Sequence, residues 1–171
     1  MTGMLLPKFA TAGLTPLPIR IVQRVTQKVF DAVLARHPTL FDRLGPYAQK
    51  RYGFDPVDLP FVFEVLPAGP AIRVRRESAS STPDAMIAGP FLMLLALLEG
   101  RVDGDAVFFS RELEVSGDTE AILALRNALD DCVLDLPTDI AAMAGPFRLP
   151  VQRFFEVTRE WLLAEKDRAW N

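Results

Sequence analysis

Residues 61–75 read FVFEVLPAGPAIRVR, and the fold turns on them. Phe61, Phe63 and Val65 alternate with Val62 and Glu64. Pro67, Gly69 and Pro70 interrupt, and Ile72 and Val74 then alternate with Arg73 and Arg75. Successive side chains of a strand point to opposite faces, so the stretch predicts a hairpin with one apolar and one charged face. Upstream, Pro56 and Pro60 mark a connector. Residues 41–51 predict one or two short helices punctuated by Gly45-Pro46. Before them, Ile19, Val22, Val29, Phe30, Val33 and Leu34 recur at helical spacing with Arg20, Arg24, Gln27 and Asp31 opposite. An amphipathic helix over 16–36 follows, with Pro18 near its start and Pro38 just past its end.

Downstream of the hairpin, ESASSTP (77–83) is a polar loop and 85–88 a third short strand. Gly89-Pro90 then leads into FLMLLALL (91–98), a helix without a polar face. Such a helix is either a core element or the wall of an apolar ligand site, where Met93 would add adaptable surface. A Gly- and Asp-rich turn spans 99–105. The longest strand candidate is 106–116, with Val107, Phe109, Leu113 and Val115 on one face, and Gly117 ends it. Asp118-Thr119-Glu120 has the chemistry of a helix N-terminus, a capping side chain followed by acid in the first turn. Ile122, Leu125 and Leu129 continue at helical spacing. Short and amphipathic helices over 135–144 and 149–166 complete the order, the latter through Phe154, Phe155, Trp161 and Leu162. Helices, then strands with helices between them, then helices imply an α+β domain with a largely antiparallel sheet.

The chemical inventory is sparse. With 171 residues the chain suits one domain, and a net charge of −3 with pI near 5.2 argues against nucleic acid as the main partner. The one cysteine, Cys132, excludes an internal disulfide, and Asp130-Asp131 beside it disfavour a reactive thiolate. The one histidine, His37, sits at a helix end, so no His/Cys metal set exists. Neither a phosphate loop nor GxGxxG occurs, and the acidic stretch 99–139 lacks calcium-loop spacing. Only carboxylates such as Asp103, Asp105 and Asp118 remain for catalysis, so the chain reads as a protein that is not an enzyme and needs no cofactor or metal. Residues 1–15 lack the charged and apolar regions of a signal peptide. The longest apolar run, 85–98, falls short of the roughly 20 residues that span a bilayer. Cytoplasmic residence is expected, with peripheral contact at the inner membrane left open.

Charge is unevenly placed. Residues 16–53 hold seven Lys/Arg against two Asp, whereas 99–139 hold eleven Asp/Glu against three Arg. The first helix therefore either rests Arg20, Arg24 and Lys28 on anionic lipid or packs its apolar stripe on the domain and solvates its cations.

The stretch MIAGPFLMLLALLEGRVDGDAVFFSRELEVSGDTEAILALRNALDD (86–131) resembles the core of the sterol carrier protein 2 superfamily. Gly100-Arg101 stands where that family has a Gly-Lys/Arg step. Leu113-Glu114-Val115-Ser116-Gly117-Asp118 resembles its strand ending in Gly-Asp, and the 61–76 hairpin resembles its first two strands. Residues 100–111, 117–120 and 125–131 are further similar to the bacterial UbiT (YhbT) group, accessory factors of oxygen-independent ubiquinone biosynthesis. The end of the sequence, Arg168-Ala169-Trp170-Asn171, lacks the peroxisomal targeting tail of eukaryotic carriers, which turns the expectation away from sterol.

The resemblance implies a mostly antiparallel sheet of about five strands, covered by helices and enclosing an apolar cavity. The implied layout is an amphipathic helical extension over 1–55 and a lipid-binding domain with C-terminal helices over 56–171. It also implies a prenylated quinone precursor or phospholipid as ligand. The implied protein partners are the iron–sulfur hydroxylation proteins of the pathway (UbiU/UbiV type). Alternation and helical spacing then nominate the cavity walls: Phe61, Phe63, Ile72, Val74, Val107, Phe109, Leu113 and Val115 from strands, with Phe91, Leu92, Leu95, Ile122 and Leu125 from helices. The competing expectation is a scaffold that docks other proteins and has a plain packed core.

Overall fold

The computed structural model describes residues 18–76, 82–99, 113–130 and 132. Helix α1 (Ile19–Arg36) opens them, and a 3₁₀ segment (Asp42–Gln49) follows, bent at Gly45 where φ is 52°. Strands β1 (Tyr52–Pro56), β2 (Val62–Leu66), β3 (Ala71–Arg75) and β4 (Ala85–Gly89) come next. Helix α2 (Phe91–Leu98), strand β5 (Glu114–Gly117) and helix α3 (Thr119–Asp130) complete the order. The five strands form one sheet in the order β3-β2-β1-β4-β5. Every neighbouring pair is antiparallel except β1–β4, which is parallel. The fold is the α+β arrangement that the sequence implied.

The hairpin of β2 and β3 pairs Phe63 with Val74 and Glu64 with Arg73, so the apolar and charged faces fall as the alternation predicts. Strand β1 is a correction: the region read as running from short helices into a Pro-marked connector contributes the central strand. The expected boundary at 55/56 falls inside it. Arg51 clasps β1 to β4, its carbonyl accepting from the Asp84 and Ala85 amides while its own N–H donates to Asp84 Oδ2 at 2.8 Å. At Gly53 an added Cβ would lie 2.5 Å from Pro83 Cγ and 2.7 Å from Met86 Sδ, so the close cover over β1 needs glycine there.

Helix α1 begins at Ile19, with Pro18 at its N-cap, and buries only Val33 fully. It lies along the edge strand β3. The Gln23 side chain bonds that strand as a neighbouring strand would: Nε2 donates to the Ile72 carbonyl at 2.7 Å, and Oε1 accepts from the Val74 amide at 2.7 Å. An edge so covered offers little to a foreign strand. Helix α2 lacks a cap from its own chain neighbours. Asp58, in the β1–β2 connection, supplies one by accepting the Phe91 amide at 2.9 Å.

The core gathers Tyr52, Phe54, Ala85 and Ile87 from the sheet with Met93, Leu94 and Leu97 of α2 and Ile122, Leu125 and Leu129 of α3. Met93 is therefore a core residue. The expected strand over 106–116 is seen only as β5, and its first part, with Val107 and Phe109, lies outside the described residues. So do Asp103, Asp105 and the expected helices over 135–144 and 149–166.

Candidate functional site

Between the sheet and helices α2 and α3 lies a narrow, closely packed apolar cleft with a volume of about 10 Å³, room for about one water molecule. Phe54 and Ile87 form its floor. They are register partners across the parallel β1–β4 pair, so their side chains share a face. Leu97 of α2 and Ile122, Leu125, Arg126 and Leu129 of α3 form the walls. Residues 122, 125, 126 and 129 follow the i, i+3, i+4, i+7 spacing of one helix face, and Arg126 is the charge within that stripe. Its side chain is 18% exposed and its Nε lies 3.4 Å from Asp130 Oδ2.

Of the expected wall residues, Ile122 and Leu125 meet at this cleft. Phe63, Leu95 and Val115 are half-buried against the same core, and Leu113 is buried within it. Ile72 and Val74 lie on β3, at the sheet edge that α1 covers, two strands away from β1. Phe61 is buried just before β2, with the Arg76 guanidinium 5.4 Å from its ring centroid. Phe91 and Leu92 open α2, at the end remote from Leu97. Phe54, Ile87, Leu97, Arg126 and Leu129 were not nominated. Arg20, Arg24 and Lys28 are all exposed on the outer side of α1.

A polar cluster fixes the start of α3 and so aims its stripe. Asp118 Oδ1 accepts the Ala121 amide at 3.0 Å and Oδ2 meets Lys50 Nζ at 3.0 Å. Tyr47 donates to Glu120 Oε2 at 2.8 Å, and the fully buried Tyr52 donates its hydroxyl to the Tyr47 carbonyl at 2.9 Å. The Ala121 amide first, and Lys50 next, hold the Asp118 carboxyl below its ordinary value. Asp84 is held low first by the Arg51 amide and further by the Arg51 guanidinium, with partial burial opposing. Burial first, then the charge of Asp118, pushes the Tyr52 phenol up to about 12.

These shifts each contribute to the pH dependence of stability. Unfolded carboxyls titrate near 3.9, above the folded values of Asp84 and Asp118, so in acid the unfolded chain binds more protons. Their contribution is present above that pH and is lost as pH falls through the folded values. Tyr52 acts oppositely: an unfolded tyrosine ionises near 10, so its contribution is present below that pH and lost as pH rises toward about 12. Thermal midpoints across pH should show a neutral plateau with both limbs. Asp84→Asn/Asp118→Asn should flatten the acid limb, and an unchanged acid limb would contradict the assignment.

Among the described residues, those singled out for chemistry hold structural positions. Asp118 serves as a helix cap, and His37 closes α1 by donating its amide to the Val33 carbonyl. Cys132 packs partly buried against the core. Among the described residues no cluster of three or more His, Cys, Asp or Glu is placed to hold a metal. Among them, too, no helix is long and apolar enough to cross a membrane.

Comparison with known proteins gives this geometry a setting. The sequence profile of the SCP-2 sterol transfer family matches residues 30–130. No curated protein matches the chain. Among solved structures, one named UbiJ-SCP2 ubiquinone synthesis protein is similar over 67% of this chain and 93% of its own. Its identity is 19% and its TM-score 0.53, a likeness of fold. The sterol carrier protein domain 2 of Helicoverpa armigera is 13% identical over 71% of this chain and 96% of its own, with a TM-score of 0.46. Sterol carrier protein 2 from Yarrowia lipolytica, in its apo form, is 11% identical over 78% and 100%, with a TM-score of 0.45.

Proposed function

The chain belongs to the SCP-2 sterol transfer family, and from that premise we propose that it binds a prenylated ubiquinone precursor or a phospholipid as an accessory protein of oxygen-independent ubiquinone biosynthesis. Proteins of this family carry lipids and are not enzymes. The observation that carries the reading is the apolar cleft between the sheet and α2/α3, walled by Phe54, Ile87, Leu97, Ile122, Leu125 and Leu129. An apolar tail taken into such a site gains about 25 cal/mol per Å² removed from water, and binding it needs no acid, base or nucleophile. The quinone pathway is supported by the resemblance over residues 100–111, 117–120 and 125–131, and by the name of one solved structure of similar fold, a UbiJ-SCP2 ubiquinone synthesis protein. In that role its protein partners are the iron–sulfur hydroxylation proteins of the UbiU/UbiV type.

The outer face of α1 supports peripheral contact with anionic lipid. Arg20, Arg24 and Lys28 are exposed there beside Ile21 and Val25, which are 51% and 55% exposed. Cations near such a surface contribute about 1 kcal/mol each, and two apolar side chains among them can enter the headgroup boundary.

Native mass spectrometry of freshly purified protein, followed by organic extraction, tests the reading. The expected result is a lipid-sized adduct, or uptake of an added prenylated phenol, that is lost when Leu129→Trp fills the cleft in a folded variant. Protein that purifies empty and ignores the prenylated phenol would favour the scaffold instead.

A further inference from the structure

We infer that the two edges of the sheet fit each other, so that a second copy of this chain seats its β5 on β3 wherever α1 does not hold that edge through Gln23 and Gln27. Among the described residues the sheet ends at β3 on one side and at β5 on the other. Strand β2 is antiparallel to both β1 and β3, whereas β4 is parallel to β1 and antiparallel to β5. Strands β3 and β5 therefore run in opposite directions. A copy set in line meets β3 with an antiparallel β5 and keeps its helices on the same side of the joined sheet.

The side chains match in that arrangement. With Glu114 opposite Arg73, Val115 falls opposite Ile72 and Leu113 opposite Val74. Register partners place Ile72 and Val115 on the core-facing side of the sheet and Arg73 and Glu114 on the other, where both charges are exposed. Opposite charges directly across a strand pair stabilise it and like charges oppose it. Strand β3 laid centrally on a second β3 would set Arg73 against Arg73, so the fitting occupant is the unlike edge.

Helix α1 takes the backbone groups that an added strand would use. Gln23 bonds the Ile72 carbonyl and the Val74 amide, and Gln27 Oε1 lies 3.5 Å from the Ile72 nitrogen. The N-terminal part of α1 is otherwise lightly held. No side chain caps it, its first turn has no acid, and Arg20, Arg24 and Lys28 repeat like charge at intervals of four. Its one fully buried side chain, Val33, lies near the opposite end. Removing the two glutamines therefore frees the edge and leaves that anchor. A contact between unlike edges is heterologous, so it adds copies in series.

Sedimentation velocity on the full chain across a concentration series tests this. Gln23→Ala/Gln27→Ala, shown to be folded by circular dichroism, should associate until its mean mass is at least about twice that of the parent. Arg73→Glu in that background should weaken association about tenfold, and adding Glu114→Arg should restore it. Gln23→Ala alone, which keeps Gln27, should show the same charge dependence at higher concentration and serves if the double variant fails to fold. Parent-like mass for the folded glutamine variants, or association that ignores both charge reversals, would overturn the inference.

Discussion

Replacing Gly117 with alanine is expected to destabilise the protein by about 2–4 kcal/mol, and with valine by more. Gly117 has φ of 82°, a conformation L side chains rarely adopt, and a Cβ built there would lie 2.4 Å from the Asp84 carbonyl oxygen. The obstacle is backbone, so it cannot swing aside as a flexible side chain would. That same carbonyl accepts the Asp118 amide at 2.9 Å, and Asp118 caps α3. Displacing it would disturb the β4–β5 pairing of Ala85 with Gly117 and the direction of the helix that supplies four cleft residues. Denaturant melts should show a lowered midpoint for Gly117→Ala. Gly69→Ala is the control: its Cβ position is open, so it should change little. A Gly117→Ala protein as stable as the parent would refute the steric account.

The Gly-Asp step was legible in the sequence as a family pattern, and its reason is mechanical. One residue turns the chain beneath a neighbouring carbonyl, and the next satisfies the amides of the helix that follows. The hairpin was legible because period-2 alternation survives whatever packs on it. Strand β1 was not. YGFDP contains Gly53, Asp55 and Pro56, residue types depleted in strands, and its conformation comes from long-range partners. Arg51 clasps it to Asp84, β4 pairs with it in parallel, and Pro83 and Met86 crowd Gly53. None of those partners is local in sequence.

The same gap explains the cleft. Ile122 and Leu125 were found because α3 has a clear apolar stripe. Phe54 and Ile87 were missed because their side-by-side placement depends on the unforeseen β1–β4 pair. Leu97 was missed because α2 is apolar all round, and such a helix gives no direction to periodicity. Arg126 did leave a signal, a charge at i+4 within the 122–129 stripe, which a reading confined to apolar positions passes over. Ile72 and Val74 alternate correctly, yet α1 and its Gln23 occupy their end of the sheet.

The charged face of the hairpin holds the second large effect. Glu64 is 3% exposed, and its carboxylate meets Arg75 through Oε2 and Arg51 Nη1 through Oε1 at 3.6 Å. Arg51 also binds Asp84, so its charge is shared, and Arg75 is the principal partner of the buried carboxylate. Arg75→Met removes that partner and leaves a buried charge undercompensated, which is expected to destabilise by about 3–5 kcal/mol. Glu64→Leu/Arg75→Met removes both charges and restores apolar contact, so the double variant should regain most of that loss. A pair worth little in water would give a different cycle, with Arg75→Met near neutral and the double variant no better than the single changes. The measured coupling therefore separates a pair that stabilises β2 against β3 from one that is merely tolerated once formed. If the double variant exceeds the parent in stability, the ion pair is retained for strand register, since Glu64 faces Gly53 on one side and Arg73 on the other and a one-residue slip would carry the carboxylate into the core.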